Sequence, residues 1–389
     1  MKKKQKGMNW VQLLYLATMM VPAYIVASLF NRGELPMPVM ASGETQYIIG
    51  VALLLAVFLV ALNLRQVIWL AGEVLGGRLA GCRPVYIWAG RKAWVFEKGG
   101  VRKGDLGPFY TGLGSLSEPS GDSWENARFG SVLLGGALAD LAAGCLFGGL
   151  YWLWPRVPLL SAALLSLALA SLCFGLFHIV PMKRGSAANG SMMALQQRRH
   201  PAARRSLWML MKVNAQSVAG VRLRDMPEEW FDVPADEDMA AFPVCAQAGA
   251  VAVKRAVEKR DYDGARSLFA RLAKPGVALS PLNRYDVVND QMIAELLTEN
   301  RAGVVDSLLS DGQKDYLFHY GENLSVMCMN YMLALLHEKD AGKAEEIKAR
   351  FDRVSPKAVY RSNVSRAKEM MELARRKAEE ESRAGATSP

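Results

Sequence analysis

The stretch "VIWLAGEVLGGRLAG", Val67 to Gly81, ends a long apolar segment and holds a single carboxylate, Glu73, between glycines. An ionisable side chain at membrane depth is costly unless it is paired or faces a water-filled cavity. Arg65 lies eight residues before Glu73, so both side chains fall on one face of a helix, about two turns apart. Two explanations stay open. Either the two residues mark a functional site, or Arg65 snorkels and Glu73 lies among the lipid headgroups.

This stretch belongs to the first half of a chain with two different compositions. The 389 residues are 51% hydrophobic, with long uncharged runs before residue 182 and dense charge after it. Four segments, 9–30, 47–71, 129–153 and 157–181, are close to or beyond the ~20 apolar residues that cross a bilayer. The second should continue as a helix towards residue 80. We therefore expect a polytopic membrane half with the lipid bilayer as its partner.

The placement of basic residues predicts the orientation of these segments. Lysine and arginine crowd the N-terminal tail, the connection after the second segment and the stretch after the fourth, whereas the opposite loops hold only Arg32 and Arg156. Because basic loops stay in the cytoplasm, both termini should be cytoplasmic. Basic residues beside apolar segments also account for the net charge of +10. Since no recognition motif accompanies that charge, nucleic acid is not an expected partner.

Two short stretches connect the second and third segments. "VYIWAGRKAWVFEKGG" (Val85–Gly100) is aromatic-rich and alternates around Gly90, which predicts a small β-hairpin at the membrane interface. "GPFYTGLGSLSEPSGDS" (Gly107–Ser123) is rich in Gly, Pro and Ser and is predicted to be a loop.

The second half is charged and amphipathic and contains a weak internal repeat. Segments starting at Glu258, Leu297 and His337 each combine a helix end, a polar turn and a helix start, and aligning Ala265, Val304 and Ala344 gives steps of 39 and 40 residues. Such periods are typical of stacked helical hairpins. "RDYDGARSLF" resembles the tetratricopeptide pattern, although this period is longer.

The predicted fold is therefore mainly α. A polytopic membrane domain with about four transmembrane helices and a small interfacial β-hairpin precedes a cytoplasmic helical-hairpin-repeat (tetratricopeptide-like) domain. The expected boundaries are a membrane domain at 1–205, a linker at 206–240, the helical-repeat domain at 241–380 and a disordered tail at 381–389.

The membrane domain resembles the core of the site-2 protease family of intramembrane zinc metalloproteases. That family carries His-Glu-x-x-His on a membrane helix, and this chain has Gly72-Glu73-Val74-Leu75-Gly76 there, followed by "GRLAG" and the hairpin. "GGALADL" (Gly135–Leu141) is similar to the family's Gly-rich helix, with Asp140 in place of Asn. "HIVPMKRGSAANG" (His178–Gly190) is similar to its Asn-x-x-Pro and Asp-Gly motifs. The resemblance covers roughly residues 45–200 and implies a bacterial plasma-membrane protein.

The departures from the family affect every zinc ligand. Gly72 and Gly76 replace the two histidines, and Asn189 replaces the third ligand, an aspartate. A catalytic zinc site of this type needs two imidazoles and a carboxylate as ligands, with one coordination position left for water. Without the metal, Glu73 occupies only the vestigial position of the general base. We expect no cofactor and no metal, since a site rebuilt from His178, Cys145 and Cys173 is a weak alternative.

Because the chain resembles this family but lacks its zinc ligands, we expect a catalytically inactive protein. It should bind a membrane helix or peptide client, with Asp140, His178 and Pro181 as candidate contacts, and recruit a cytoplasmic protein through the helical repeats. Two alternatives remain. One is an active site-2-type protease that uses zinc at an unorthodox site, and the other is a membrane-anchored helical-repeat adaptor.

Overall fold

The computed structural model describes residues 10–35, 44–108, 110–127, 129–184 and 187–386. Within them the fold is mainly helical. Four of the described helices are long and apolar enough to cross a membrane, as the sequence predicts. They are α1 (Trp10–Asn31), α2 (Glu44–Leu79), α3 (Gly130–Leu153) and α4 (Leu160–Ile179). The basic N-terminal tail and Arg128, which contributed to the predicted orientation, lie outside the described residues.

The α4 helix lies at the centre of this bundle. Within the most apolar 18-residue stretch of α4, 61% is buried inside the protein, whereas the corresponding share in the other three helices is 17–28%. The outer helices instead expose large apolar side chains, such as Leu55, Leu59 and Val60 of α2. A face of this kind suits contact with lipid.

The connection between α2 and α3 forms an antiparallel sheet with strand order β3-β2-β1-β4. Its strands are β1 (Cys82–Ala89), β2 (Lys92–Glu97), β3 (Gly100–Asp105) and β4 (Leu113–Pro119). The predicted hairpin is β1 and β2, but the predicted loop was wrong because it contains β4. The turn-forming composition of β4 is overridden by packing. Gly114 leaves room for the indole of Trp88, and Glu118 is buried.

The predicted linker at 206–240 is also wrong. After a short strand pair, β5 (Lys183–Arg184) and β6 (Ala187–Ala188), the chain forms α5 (Gly190–Arg199) and α6 (Pro201–Ala219). The α6 helix buries Trp208, Met209 and Leu210 in the largest hydrophobic core. It is therefore the first layer of the helical domain. Polar residues between these apolar ones give the segment the composition of a linker.

The helical domain continues with further helices. Its further members are α7 (Asp236–Ala241), α8 (Pro243–Lys259), α9 (Tyr262–Leu272), α10 (Pro281–Leu297), α11 (Ala302–Leu308), α12 (Asp311–His319), α13 (Leu324–Met332, extended by a π-helical turn to His337), α14 (Ala341–Val354) and α15 (Arg361–Ala386).

The structure changes the register of the proposed repeat. The fourth residue of α9, α11 and α14 is in each case fully buried, and these residues are Ala265, Val305 and Ala344. The alignment on Val304 was therefore one residue early. The turn before α11 is longer than the turn before α9, and spacing alone could not reveal this.

The C-terminal helix α15 closes the domain. Arg366 of α15 forms a buried ion pair with Asp290 of α10, and Glu258 of α8 lies 3.5 Å away. The predicted disordered tail was wrong for 381–386, which belong to α15, while 387–389 lie outside the described residues.

The sheet and the helical domain contact each other on one side of the bundle. The buried carboxylate of Glu118 on β4 accepts a hydrogen bond from Gln216 of α6 at 3.2 Å, and the Tyr86 hydroxyl is 3.0 Å from that of Tyr360. Burial raises the pKa of Tyr86 to about 12. These contacts connect the membrane helices to the helical domain through the sheet.

Candidate functional site

A row of polar side chains, the α2 polar row, runs along one face of α2. Its members are Arg65, Trp69 and Glu73, each about one helical turn apart. The Arg65 guanidinium lies 5.5 Å from the Trp69 ring centre, and the Trp69 indole N–H donates to a Glu73 carboxylate oxygen at 2.9 Å. The expected common face of Arg65 and Glu73 is thus present, with Trp69 between them.

An acidic residue on α3 holds Arg65 inside the bundle. Two guanidinium nitrogens of Arg65 lie 2.7 Å from one oxygen of Asp140, with side-chain exposures of 9% for Arg65 and 0% for Asp140. The ring centre of Phe174 on α4 is 4.0 Å from the guanidinium carbon. Arg65 therefore does not snorkel. Its charge is compensated by an ion pair and an aromatic face, the condition under which a charge is tolerated in the bundle.

At the other end of the row, Glu73 connects α2 to the sheet. Its second carboxylate oxygen accepts a hydrogen bond from the Ser115 hydroxyl of β4 at 3.3 Å. One turn further on, Gly77 packs against Ser117 of the same strand. Both Glu73 oxygens are therefore used by structural neighbours, which are an indole and a hydroxyl.

Gly72 and Gly76, on either side of Glu73, form a close contact between α2 and α3. A β-carbon added to Gly72 would overlap the carbonyl oxygen of Gly135 and the β-carbon of Ala139. One added to Gly76 would overlap the carbonyl oxygen of Ser131. Helices in membranes approach this closely only where small residues face each other. The two positions are thus part of a helix–helix interface.

This packing does not fit a zinc ion held as in the family. Gly72 and Gly76 supply no donor atom, and an imidazole at either position would collide with the backbone of α3. Nor do any three His, Cys, Asp or Glu side chains of the described residues come together as a possible metal site. Within that part of the chain, the alternative set of His178, Cys145 and Cys173 does not form such a group.

The side chain of Asn189, the residue that the resemblance would place at the third ligand position, makes four local hydrogen bonds. Its oxygen accepts hydrogen bonds from the backbone N–H groups of Met192 and Met182, both at 3.0 Å. Its amide nitrogen donates to the carbonyl oxygens of Val180 at 2.7 Å and His178 at 3.3 Å. Asn189 thus caps α5 and fixes the turn after α4. An aspartate could not make the last two bonds, because it has no N–H to donate.

The candidate client contacts differ in accessibility. Asp140 has no exposed surface, and its contact with a client stays a prediction. The half-exposed ring of His178 lies 4.6 Å from the Trp69 ring, and Pro181 is exposed. His178 and Pro181 are therefore accessible at the C-terminal end of α4.

Three residues of this region were not predicted from the sequence. Trp69 and Ser115 hold Glu73, and Gly135 completes the glycine contact. The position of Trp69, four residues from both Arg65 and Glu73, was a sequence signal that could have identified it.

Comparison with known proteins finds no matching family model, no matching curated protein and no matching solved structure.

Proposed function

We propose that this chain is a non-proteolytic membrane protein that binds a membrane helix or peptide client without cleaving it. Its helical domain would hold a partner protein. The resemblance to intramembrane metalloproteases suggests that the bundle binds a membrane segment. The residues at the three zinc-ligand positions suggest that it does not cleave that segment.

The observation that carries the proposal is the contact of Gly72 and Gly76 with α3. In a zinc protease these positions need imidazoles and a space in which metal and water react. Here the backbone of α3 fills that space. Glu73 has two structural hydrogen-bond donors as partners in place of a metal-bound water.

The client would contact the bundle where α4 ends. The rings of Trp69, Phe177 and His178 cluster there, with the His178 ring 5.1 Å from that of Phe177. Among the described residues, the His178 ring nitrogens have no hydrogen-bond partner. A half-exposed aromatic cluster with a free imidazole suits an apolar segment that carries a hydrogen-bonding group.

The placement of the helical domain follows from the basic loops. We propose that both termini, the sheet and the helical domain are cytoplasmic, in a bacterial plasma membrane. The helix pairs α8–α9, α10–α11 and α13–α14 would form a tetratricopeptide-like array that presents a surface to a cytoplasmic protein.

The proposal is tested with the full chain in lipid nanodiscs. Zinc is measured after mild chelation, and cleavage is followed with a single-span Leu/Ala-rich peptide in the same bilayer. We expect far less than one zinc per chain and an intact peptide. A photo-reactive residue at position 181 should crosslink to the peptide, whereas the same residue at Leu146, exposed on α3, should not.

Three results would overturn the proposal. Stoichiometric zinc after chelation would show a metal site, and cleavage lost in Glu73→Gln would show an active protease with an unorthodox site. Equal crosslinking from positions 181 and 146 would remove the client site.

A further inference from the structure

A cavity of about 900 Å³ lies between the sheet and the helical domain. Its wall includes the turn after β3 and residues of α6, α8, α10, α14 and α15, but no member of the α2 polar row. The volume lies within the range of about 300–1,000 Å³ that is typical of ligand sites.

The lining of the cavity is net positive. It includes five cationic side chains and three carboxylates among the described residues. Arg91 pairs with Asp105 at 3.4 Å, and Arg350 pairs with Glu322 at 3.1 Å. The third carboxylate, Asp286, accepts a hydrogen bond from the Tyr316 hydroxyl at 2.6 Å.

Three cations of the lining remain without an ion pair. Lys254, Arg353 and Lys357 have no carboxylate within ion-pair distance in the part of the chain that the structure describes. Lys254 is half-buried and acts on Asp286 from beyond contact distance, and the other two are exposed. An arrangement of this kind attracts carboxylates from another molecule.

Amide side chains line the same cavity from three different helices. Asn214 of α6, Asn283 of α10 and Asn363 of α15 are half-buried, and their side chains make no hydrogen bond with any described residue. Each amide offers donors and an acceptor, as a peptide group does. Three such groups on three walls can follow the backbone of an extended chain, whereas a compact anion would use only one or two.

Aromatic rings add an apolar surface to the wall. The Tyr316 ring stacks on the Tyr320 ring with centres 5.0 Å apart, and both residues line the cavity. The exposed side chains of Leu282 and Val354 complete it. This surface can accept the side chains that alternate with acidic ones along an extended peptide.

We propose that this cavity binds an extended, acidic segment of a partner polypeptide. The unpaired cations hold its carboxylates, the asparagines hold its backbone, and the tyrosine stack contacts its other side chains. The inference rests on the proposed partner-binding role of the helical domain and names the chemistry of that partner.

Binding is measured by fluorescence anisotropy with the full chain in nanodiscs. The probe is a labelled peptide of about twelve residues that alternates Glu and Ser, and its control alternates Gln and Ser. We expect saturable binding of the acidic peptide and at least about tenfold weaker binding of the neutral one. Arg353→Gln with Lys357→Gln should weaken binding about tenfold, as expected for two exposed charge pairs.

The matched control removes the same charge outside the cavity. Lys314→Gln with Lys368→Gln, both exposed, should change the affinity less than about twofold. The combination of Asn283→Ala and Asn363→Ala should weaken the acidic peptide even though no charge is lost.

Three outcomes would overturn the inference. They are no binding of the acidic peptide, an equal loss in both double charge variants, and full displacement of the peptide by an equal concentration of inorganic tripolyphosphate. The last would show a site for small anions. None of these readouts involves zinc or cleavage, so failure here leaves the proposed loss of proteolysis untouched, and the reverse also holds.

Discussion

Gly72 of α2 and Gly135 of α3 meet backbone to backbone, and the carbonyl oxygen of each lies 2.3–2.4 Å from the position that a β-carbon on the other would take. Gly76, four residues after Gly72, continues the contact, and its α-carbon lies 3.2 Å from the β-carbon position of Gly135. Small residues four apart on one helix form a flat surface on which a second helix can lie. Gly72 and Gly76 therefore form a structural contact between two helices in this chain.

Gly72→Ala should destabilise the bundle, because the added methyl group forces α2 and α3 apart. We expect a loss of about 1–3 kcal/mol, the usual cost of overpacking. The measurement is thermal unfolding in detergent. Gly149→Ala on α3 is the control, since a β-carbon there meets nothing within 4 Å. An unchanged melting temperature for Gly72→Ala would show that the helices do not touch as described.

Arg65→Met should be more damaging, because it leaves the carboxylate of Asp140 buried without its partner. Removal of one member of a buried ion pair costs about 3–5 kcal/mol, whereas replacement of both members by apolar residues is often nearly neutral. We therefore expect the double variant Arg65→Met, Asp140→Leu to regain much of the stability lost in the single variant.

The control for this pair is Arg156→Met, which removes an exposed arginine from the loop between α3 and α4. It should leave the melting temperature unchanged. If the double variant is less stable than either single variant, the two charges do not form an isolated pair.

The positions of the membrane helices were predictable because a bilayer imposes a length and a composition on each span. The β4 strand and the α6 helix were not predictable in this way. Ser117 and Glu118 are residue types common in loops, but α2 and α6 bury them. Trp208 is buried too, although it lies in a segment whose polar composition is typical of a linker. Tertiary contacts decided these elements, and such contacts leave no periodic signal in a single sequence.

The candidate site was predictable to a similar degree. The shared face of Arg65 and Glu73 follows from helical geometry, but Asp140 as the partner of Arg65 does not, because the two lie 75 residues apart. The contact of Gly72 and Gly76 with Gly135 and Ser131 of α3 does not follow from the sequence either. The sequence places Asn189 where a zinc ligand would be expected, whereas in the structure its side chain makes four hydrogen bonds to the backbone.

Asn189→Asp should destabilise the turn after α4 and should not restore a metal site. The carboxylate keeps the bonds from Met182 and Met192 but places an oxygen against the carbonyl oxygens of Val180 and His178. Asn189→Ala should cost about 1 kcal/mol or more, as loss of a helix cap does. Asn323→Ala, which removes a cap bond to Ser325, is the matched control with the smaller expected loss. Zinc retained by Asn189→Asp would contradict the structural role.

The buried Tyr86 hydroxyl, 3.0 Å from that of Tyr360, should make the contact between sheet and helical domain sensitive to alkali. Burial raises the Tyr86 pKa to about 12, against about 10 in an unfolded chain. Between these values the unfolded chain loses the proton and the folded chain keeps it, so stability present below pH 10 is lost by up to about 1.4 kcal/mol per pH unit. Tyr86→Phe should cost about 1 kcal/mol at pH 8 through the lost hydrogen bond. Thermal unfolding from pH 8 to 11 should show this gap narrowing above pH 10, and a constant gap would mean that folding does not raise the Tyr86 pKa.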